Sequence, residues 1–582
     1  MVQRQAPRGS NMFKKNDRHL QKQMFSTVGS LPRNELELLE GGWAATFYTE
    51  CFCRIDESTF AVLYADVASR PNIPVNILVG LEALKAGFGW SDEEMIHAFY
   101  FDLEVRYALG LCNLGDQHFE LRTMYNFRRR LSQHMQETGE NLIERAFEQV
   151  TDEQVSAFEL KTDHIRMDST QVASNIREVS RLQLLVEVLQ RVHRMLNEVD
   201  QTHYVDGFAP YVIGSSGQYV YRVRSEDGAS HIQRIGALMR RLVNELADTY
   251  VDEPTYRMLR RVFDEHFTLE ETQMRPKQGK ELSSQSLQSP DDLEATFRRK
   301  RGREYRGYVT NVSETCDLDN ELQLIVSVQT APNTIDDQTL LEKALPTLKE
   351  RLDVDELYTD GGYNSEKTSQ LAHDLDVDHI QTAIRGHSPQ GLGLYHFDTE
   401  TTDAGTPVAI ACPQGQRVPI ASGRRGRYIA RFDVTQCNAC PLRDQCPTRL
   451  MKRTPQRSLY FDRHGLEIAR RRKRIFEGKH PDRNVRAAVE STIAAIKRPF
   501  HRDKLPVRGL FRVASMMVAS SAMFNVRRIH RYLANNPTKD RENPAAGVPA
   551  LPLEPSILSS LHQLWRRIHP LCAQPACPSV LC

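Results

Sequence analysis

A chain of 582 residues with 76 basic and 75 acidic side chains, formal net charge +1, is long enough for several domains and lacks the bulk positive charge that would coat nucleic acid indiscriminately. No apolar run reaches the roughly 18 residues of a membrane span, and residues 1–11 hold no signal-peptide core, so a cytoplasmic location is expected. The 11 cysteines are too sparse for a disulfide scaffold, and four of them cluster, which favours reduced thiols around a metal.

Residues 1–30 are polar and are expected to form a flexible arm. Helical periodicity then takes over with Ile77, Leu81, Leu84 and Phe88, then Met95, Ile96 and Phe99, then Tyr107 and Leu111, then Met124, Phe127 and Leu131. Short breaks separate these segments, and Ser91 or Asp92 is placed to cap one of them. The pattern predicts a compact helical domain over residues 31–150. Its last helix carries Arg122, Arg128, Arg129 and Arg130 beside Tyr125, a set that suits phosphate contact along DNA; the other reading is an ordinary solvated face.

From Phe158 to Val172 the pattern is strand-like, with Ile165 and Met167 alternating against polar neighbours before Asp168. Apolar periodicity over Leu182–Leu196 and Ile232–Leu246 predicts two helices paired as a hairpin. Residues 270–292 read as a loop, and Arg298–Arg303 is a basic run entering the next strand. Further strands are predicted over Glu304–Val312, Leu322–Thr330, Glu356–Thr359 and His379–Ile384, with helices around Leu340–Leu352 and Ser365–Leu375. The stretch between the first two strands is far longer than a hairpin turn, so residues 176–289 are read as an inserted helical segment.

Residues 385–480 form a second insertion, rich in Gly, Arg and Pro, in which Cys412, Cys437, Cys440 and Cys446 follow a C-x24-C-x2-C-x5-C spacing. Four thiolates suit tetrahedral Zn²⁺, and a loop-rich module needs such a metal to fold. The uneven spacing keeps four buried or free thiols as the other reading. Arg424, Arg425 and Arg427 inside the module, and Arg470–Arg474 after it, would add a grip on DNA.

Asp482–Lys497 reads as an Ala-rich helix stopped by Pro499. At about 100° per residue, Arg486, Glu490 and Lys497 fall within roughly 40° of one another, beside an apolar arc of Val485, Val489, Ile493 and Ile496. Leu510–Ile529 predicts a helix that closes the core. Residues 535–582 are Asn-, Pro- and Ala-rich and predict a disordered tail.

The spacing Arg486-x3-Glu490-x6-Lys497 resembles the C-terminal signature of bacterial insertion-sequence DDE transposases, in which a tyrosine precedes the arginine by three positions; Arg483 stands there in this chain. Two further acids sit in similar contexts, Asp168 in Arg-Met-Asp-Ser-Thr and Asp360 in Thr-Asp-Gly-Gly-Tyr-Asn, and the likeness runs from about residue 10 to 535. It implies a mixed α/β, ribonuclease H-like catalytic domain over residues 155–530, interrupted by the helical and zinc-ribbon-like insertions, with the first and fourth strands adjacent. It implies that Asp168, Asp360 and Glu490 hold Mg²⁺ or Mn²⁺, that the helical domain binds transposon ends, and that a homodimer forms on DNA. The activity implied is cutting of transposon ends and joining of the 3′-OH to target DNA, where two metal ions serve an in-line displacement at phosphorus. Arg486, Lys497, Arg128, Arg129 and Arg130 are the expected DNA contacts. A nuclease on the same fold, or a catalytically silent DNA-binding protein, shares part of this pattern. Asp163 is the rival for the first acid, and His387, His464, His480 and His501 are assigned no role.

Overall fold

Strands with apolar side chains on both faces must be covered on both faces, and that requirement shapes the centre of this chain. The computed structural model describes residues 13–21, 26–64, 72–270, 273–300, 302–381, 391–402, 406–423, 426–452, 454–477 and 487–536. Its central mixed sheet contains His164–Val172, Arg303–Thr315, Ile325–Pro332, Glu356–Thr359 and Asp378–Gln381. Taken in chain order, they lie third, second, first, fourth, fifth across the sheet. The first strand is antiparallel to the second and parallel to the fourth, and the fourth is parallel to the fifth. A further strand hidden in the basic run, Thr296–Lys300, folds back on the start of Arg303–Thr315.

One face of the sheet presents Ile165, Met167, Val326 and Leu357 to the helices Asp337–Arg351 and Glu366–Asp374, which supply Leu341, Leu345, Leu348 and Ala372. The other presents Val172, Tyr308, Val312 and Val328 to Ala487–Lys497 and to the 26-residue helix Leu510–Asn535. The N-terminal helices, among them Trp43–Glu50, Val75–Phe88, Leu121–Thr138 and Leu142–Ala157, join that second core. Gly87 permits this union, because a Cβ there would stand 2.2 Å from Met523 Cγ. Arg527 Nη2 also donates to the carbonyl of Gly87 at 2.6 Å, and Thr46 Oγ1 meets His530 Nδ1 at 3.0 Å. Ser91 caps the helix Asp92–Phe101 in a reciprocal box with Glu94.

Three expectations change. Residues 13–21 and 26–30 are docked rather than loose: His19 and Val28 are buried, and the Lys14 amide donates to Asn72 Oδ1 at 2.7 Å. Anchors this few leave no periodicity to read. The insertion over 176–289 is more than a hairpin, since Arg181–Met195, Gly228–Glu245 and Pro254–His266 share a core with Phe208, Tyr211 and Leu287. The second insertion is not loop-rich either. Six antiparallel strands from Asp398 to Asp462 enclose a core of Phe397, Ile410, Ala430, Phe432, Leu459 and Phe461. Residues 1–12 and the tail from 537 onward lie outside the described residues. Among the described residues, no helix is long and apolar enough to cross a membrane.

Candidate active site

Parallel pairing sets the positions of two acids. His164, Ile165 and Arg166 pair with Glu356, Leu357 and Tyr358. The pairing ends there, and Asp168 and Asp360 each follow two residues beyond its last pair, at the same end of neighbouring parallel strands. Asp168 is only 9% exposed, and its Oδ1 accepts from the Ser169 amide at 2.9 Å. Asp360 follows its strand and caps the turn Gly361–Tyr363, its Oδ1 accepting from the Gly362 amide at 2.7 Å. Asp163, the rival acid, lies at the far end of the first strand. There its carbonyl accepts from the amides of Asp355 and Glu356, and its carboxylate flanks His164 together with Asp317.

A third carboxylate, missed in the sequence, joins the pair. Asp337 opens the helix Asp337–Arg351, is buried, and accepts from Ser169 Oγ through Oδ1 at 2.6 Å. Its Oδ2 and Asp360 Oδ1 approach the same glycine, for a Cβ on Gly362 would stand 2.8 Å from each. Beneath them Tyr363 is fully buried and donates to Asn311 Oδ1 at 2.7 Å. Burial pushes the Tyr363 hydroxyl well above the usual tyrosine range, and the charges of Asp337, Asp168 and Asp360 add to the shift. Carboxylates gathered this closely repel one another unless a cation sits among them, so the donor set fits a hard, oxygen-seeking divalent ion.

The helix Ala487–Lys497 buries Val489, Thr492, Ile493 and Ile496 and leaves Glu490 on an exposed flank. It is bolted to the sheet through Glu314, a fully buried carboxylate on the second strand. Glu314 Oε1 accepts from Arg166 Nε at 2.6 Å, Oε2 from Arg528 Nη1 at 2.7 Å, and both oxygens approach Thr492 Oγ1 at 3.0 Å. Arg166 and Asp168 are two residues apart and so share a face of their strand, which places the Glu490 helix on Asp168's side of the sheet. Among the described residues, the single group of three or more His, Cys, Asp or Glu ligand atoms mutually within 4.8 Å is Asp163, His164 and Asp317. Asp168, Asp360 and Glu490 are therefore grouped by topology without being drawn that close.

The expected DNA contacts fare unevenly. Arg128 is not offered to solvent: its guanidinium donates to Glu82 at 2.5 Å and to both oxygens of Asp92 at 2.8 and 2.9 Å. Burial pushes the Asp92 carboxyl up, but hydrogen bonds and charge from Arg128 and Lys85 outweigh it and hold its pKa at about 2. Arg130 stacks over Tyr64, whereas Arg122 and Arg129 are exposed. Lys497 is 13% exposed and lies 3.4 Å from Thr170 Oγ1, from the Gln171 carbonyl and from Asp503 Oδ2, so it ties its helix to the Asp168 strand instead of reaching outward. Arg483, Arg486, Arg424, Arg425, His387 and His480 lie outside the described residues.

In the second insertion, the turn Cys412–Gly415 and the turn at Cys437–Cys440, with Cys446 following, bring all four thiols to one cavity of about 190 Å³ lined also by Phe397, Phe432 and Arg457. Burial pushes the Cys437 thiol up, and the nearby Cys446, Cys412 and Cys440 reinforce this while Arg457 opposes it. Four sulfurs around one cavity fit a thiophilic ion in kind, although no three of them lie within 4.8 Å of one another.

Comparison with known families gives two matches. Residues 411–530 match a family described as a transposase DDE domain, and residues 46–130 match one described as a transposase domain (DUF772). Neither a curated protein nor a solved structure matches the chain.

Proposed function

Because the chain belongs to the insertion-sequence DDE transposases, we propose that it cuts the DNA ends of its element and joins the 3′-OH to target DNA on a ribonuclease H-like domain over residues 155–530. The observation that supports this reading is the parallel pairing of the strand bearing Asp168 with the strand that ends just before Asp360, with the Glu490 helix packed on Asp168's side of the sheet. Asp168, Asp360 and Glu490 would hold two Mg²⁺ or Mn²⁺ ions. When bound, such ions supply charge stabilisation to the attacking and leaving oxygens of an in-line phosphodiester displacement. The protein's own part is positional. Glu314 and Lys497 hold the Glu490 helix against the first strand, and the Gly361–Tyr363 turn holds the Asp360 carboxylate.

End recognition falls to the helices of residues 31–150, where Arg122 and Arg129 remain exposed for phosphate. Cys412, Cys437, Cys440 and Cys446 would hold a structural Zn²⁺, and two copies of the chain would engage paired ends in the cytoplasm. The test is a nicking and joining assay with Mg²⁺ on DNA carrying the element's ends. Asp168→Asn, Asp360→Asn and Glu490→Gln should each lose at least about a hundredfold in nicking while still binding ends, since a ligand charge is removed and its shape kept. Full cutting by any one variant removes that residue from the site. Cutting without joining, when target DNA is supplied, would mark a nuclease instead.

A further inference from the structure

Asp337 carries more than a helix start requires. The N-cap is its neighbour Asp336, whose carboxylate accepts from the Thr339 amide at 2.8 Å, so the capping position is already filled when Asp337 turns inward. Asp337 is buried, and Ser169, the residue next to Asp168, fixes its Oδ1. Oδ2 takes no hydrogen bond among the described residues, and it comes as near as Asp360 Oδ1 does to the position a Cβ on Gly362 would take. The two oxygens are each 2.8 Å from one point, so they stand at most twice that distance apart. Only a residue without a side chain leaves room for such an approach.

Two aligned acids at this separation, next to a third, destabilise the fold unless something offsets their repulsion. A divalent cation held by Asp337 and Asp360 would do so, since such ions take oxygen ligands of this kind. We propose that Asp337 is a further metal-contacting carboxylate of this centre, paired with Asp360 beside Gly362. The proposal rests on the reading of Asp168 and Asp360 as metal ligands, and it adds a residue to which that reading gives no role. The opposing account is structural: Asp337 would serve only to bond Ser169 and to place a negative charge in a helix first turn.

Mn²⁺ binding to the purified full-length chain, followed by loss of the free-ion electron paramagnetic resonance signal, separates the two. Mn²⁺ prefers oxygen donors, so the cysteine cavity does not compete for it, and every chain compared carries Asp163→Asn to remove a carboxylate from the Asp163, His164 and Asp317 group. Asp337→Asn keeps the bond to Ser169 and removes the charge. It should weaken Mn²⁺ binding about tenfold or more, as Asp360→Asn should, and leave the metal-free thermal midpoint unchanged or raised. Wild-type Mn²⁺ affinity in Asp337→Asn alongside weakened binding in Asp360→Asn overturns the proposal and spares the site. Wild-type affinity in both variants overturns the proposal and the site reading together. Should Asp337→Asn fold poorly, Asp337→Ser takes its place: weakened Mn²⁺ binding supports the proposal, and wild-type affinity overturns it.

Discussion

Glu314 illustrates how a single buried charge can hold an active-site helix in place. It answers two guanidiniums, Arg166 and Arg528, inside the protein, with Thr492 completing the set. Removing one partner of a buried charge network leaves the others uncompensated, at a cost of about 3–5 kcal/mol. Glu314→Gln should therefore lose about that much stability in urea unfolding, and a loss under about 1 kcal/mol would mean water reaches the pair. Arg128 makes the contrasting point about reading a sequence. It stands in a row with Arg129 and Arg130, and nothing local distinguishes them; the distinction comes from Glu82 and Asp92, more than thirty residues earlier. Arg128→Ala should lower the thermal midpoint, whereas Arg129→Ala should leave it in place and reduce the salt dependence of end binding by about one unit of slope. Asp92 adds a pH signature, since its folded pKa of about 2 lies below its ordinary 3.8. The stability it contributes is complete above about pH 4 and is lost as pH falls towards 2. Asp337 escaped notice for a simpler reason: Asp-Asp before a leucine-rich run reads as a helix cap, and only the fold shows which aspartate caps.

Elements were legible where one physical pattern dominated. The five main strands were legible from alternation and turn residues, whereas the adjacency of the Asp168 and Asp360 strands was implied only by the resemblance to the transposase family and is met by the parallel pairing of His164–Arg166 with Glu356–Tyr358. The hairpin strand Thr296–Lys300 stayed hidden because its residues are mostly charged, and the sheet of the second insertion because its strands bury one sparse face beneath many arginines. That sheet changes what metal removal should do. A module with its own core keeps its strands, so chelation or Cys440→Ser should open the turns at Cys412–Gly415 and Cys437–Cys446 to hydrogen exchange while Gln456–Asp462 stays protected. Collapse of that strand as well would show that the metal, not the core, folds the module. The helical insertion carries a different sensitivity. His266 is buried with neither ring nitrogen bonded, and burial, aided by Arg181 and Lys277, lowers its pKa from 6.5 to about 4. The folded form thus resists a proton that the unfolded chain accepts. Its stability is whole above about pH 6.5 and drops by up to about 3 kcal/mol as pH falls to 4. His266→Leu should flatten this acid slope; an unchanged slope would assign it to other groups.

At the scale of the whole molecule, the matched region 46–130 and the last part of the other, Val489–Val526, share one core. Sequence periodicity could show that Val75–Phe88 and Leu510–Asn535 are helices, but not that they pack on each other from opposite ends of the chain. Their contact at Gly87 and Met523 predicts a large penalty for any added side chain. Gly87→Val should cost about 3 kcal/mol by overpacking and lower a single shared calorimetric transition. Two separated transitions would instead show that the halves unfold independently.

That junction also bears on how the protein is made. A ribosome adds roughly 5–20 residues per second, so the roughly 400 residues between Phe88 and Leu510 take about 20–80 s to emerge. Throughout that interval Val79 and Ala83 have been synthesised while Val518, Ala519 and Ala522, which line the same apolar cavity, have not. The nascent chain must be shielded by a chaperone, or risks sticking to its neighbours, until its last described helix arrives.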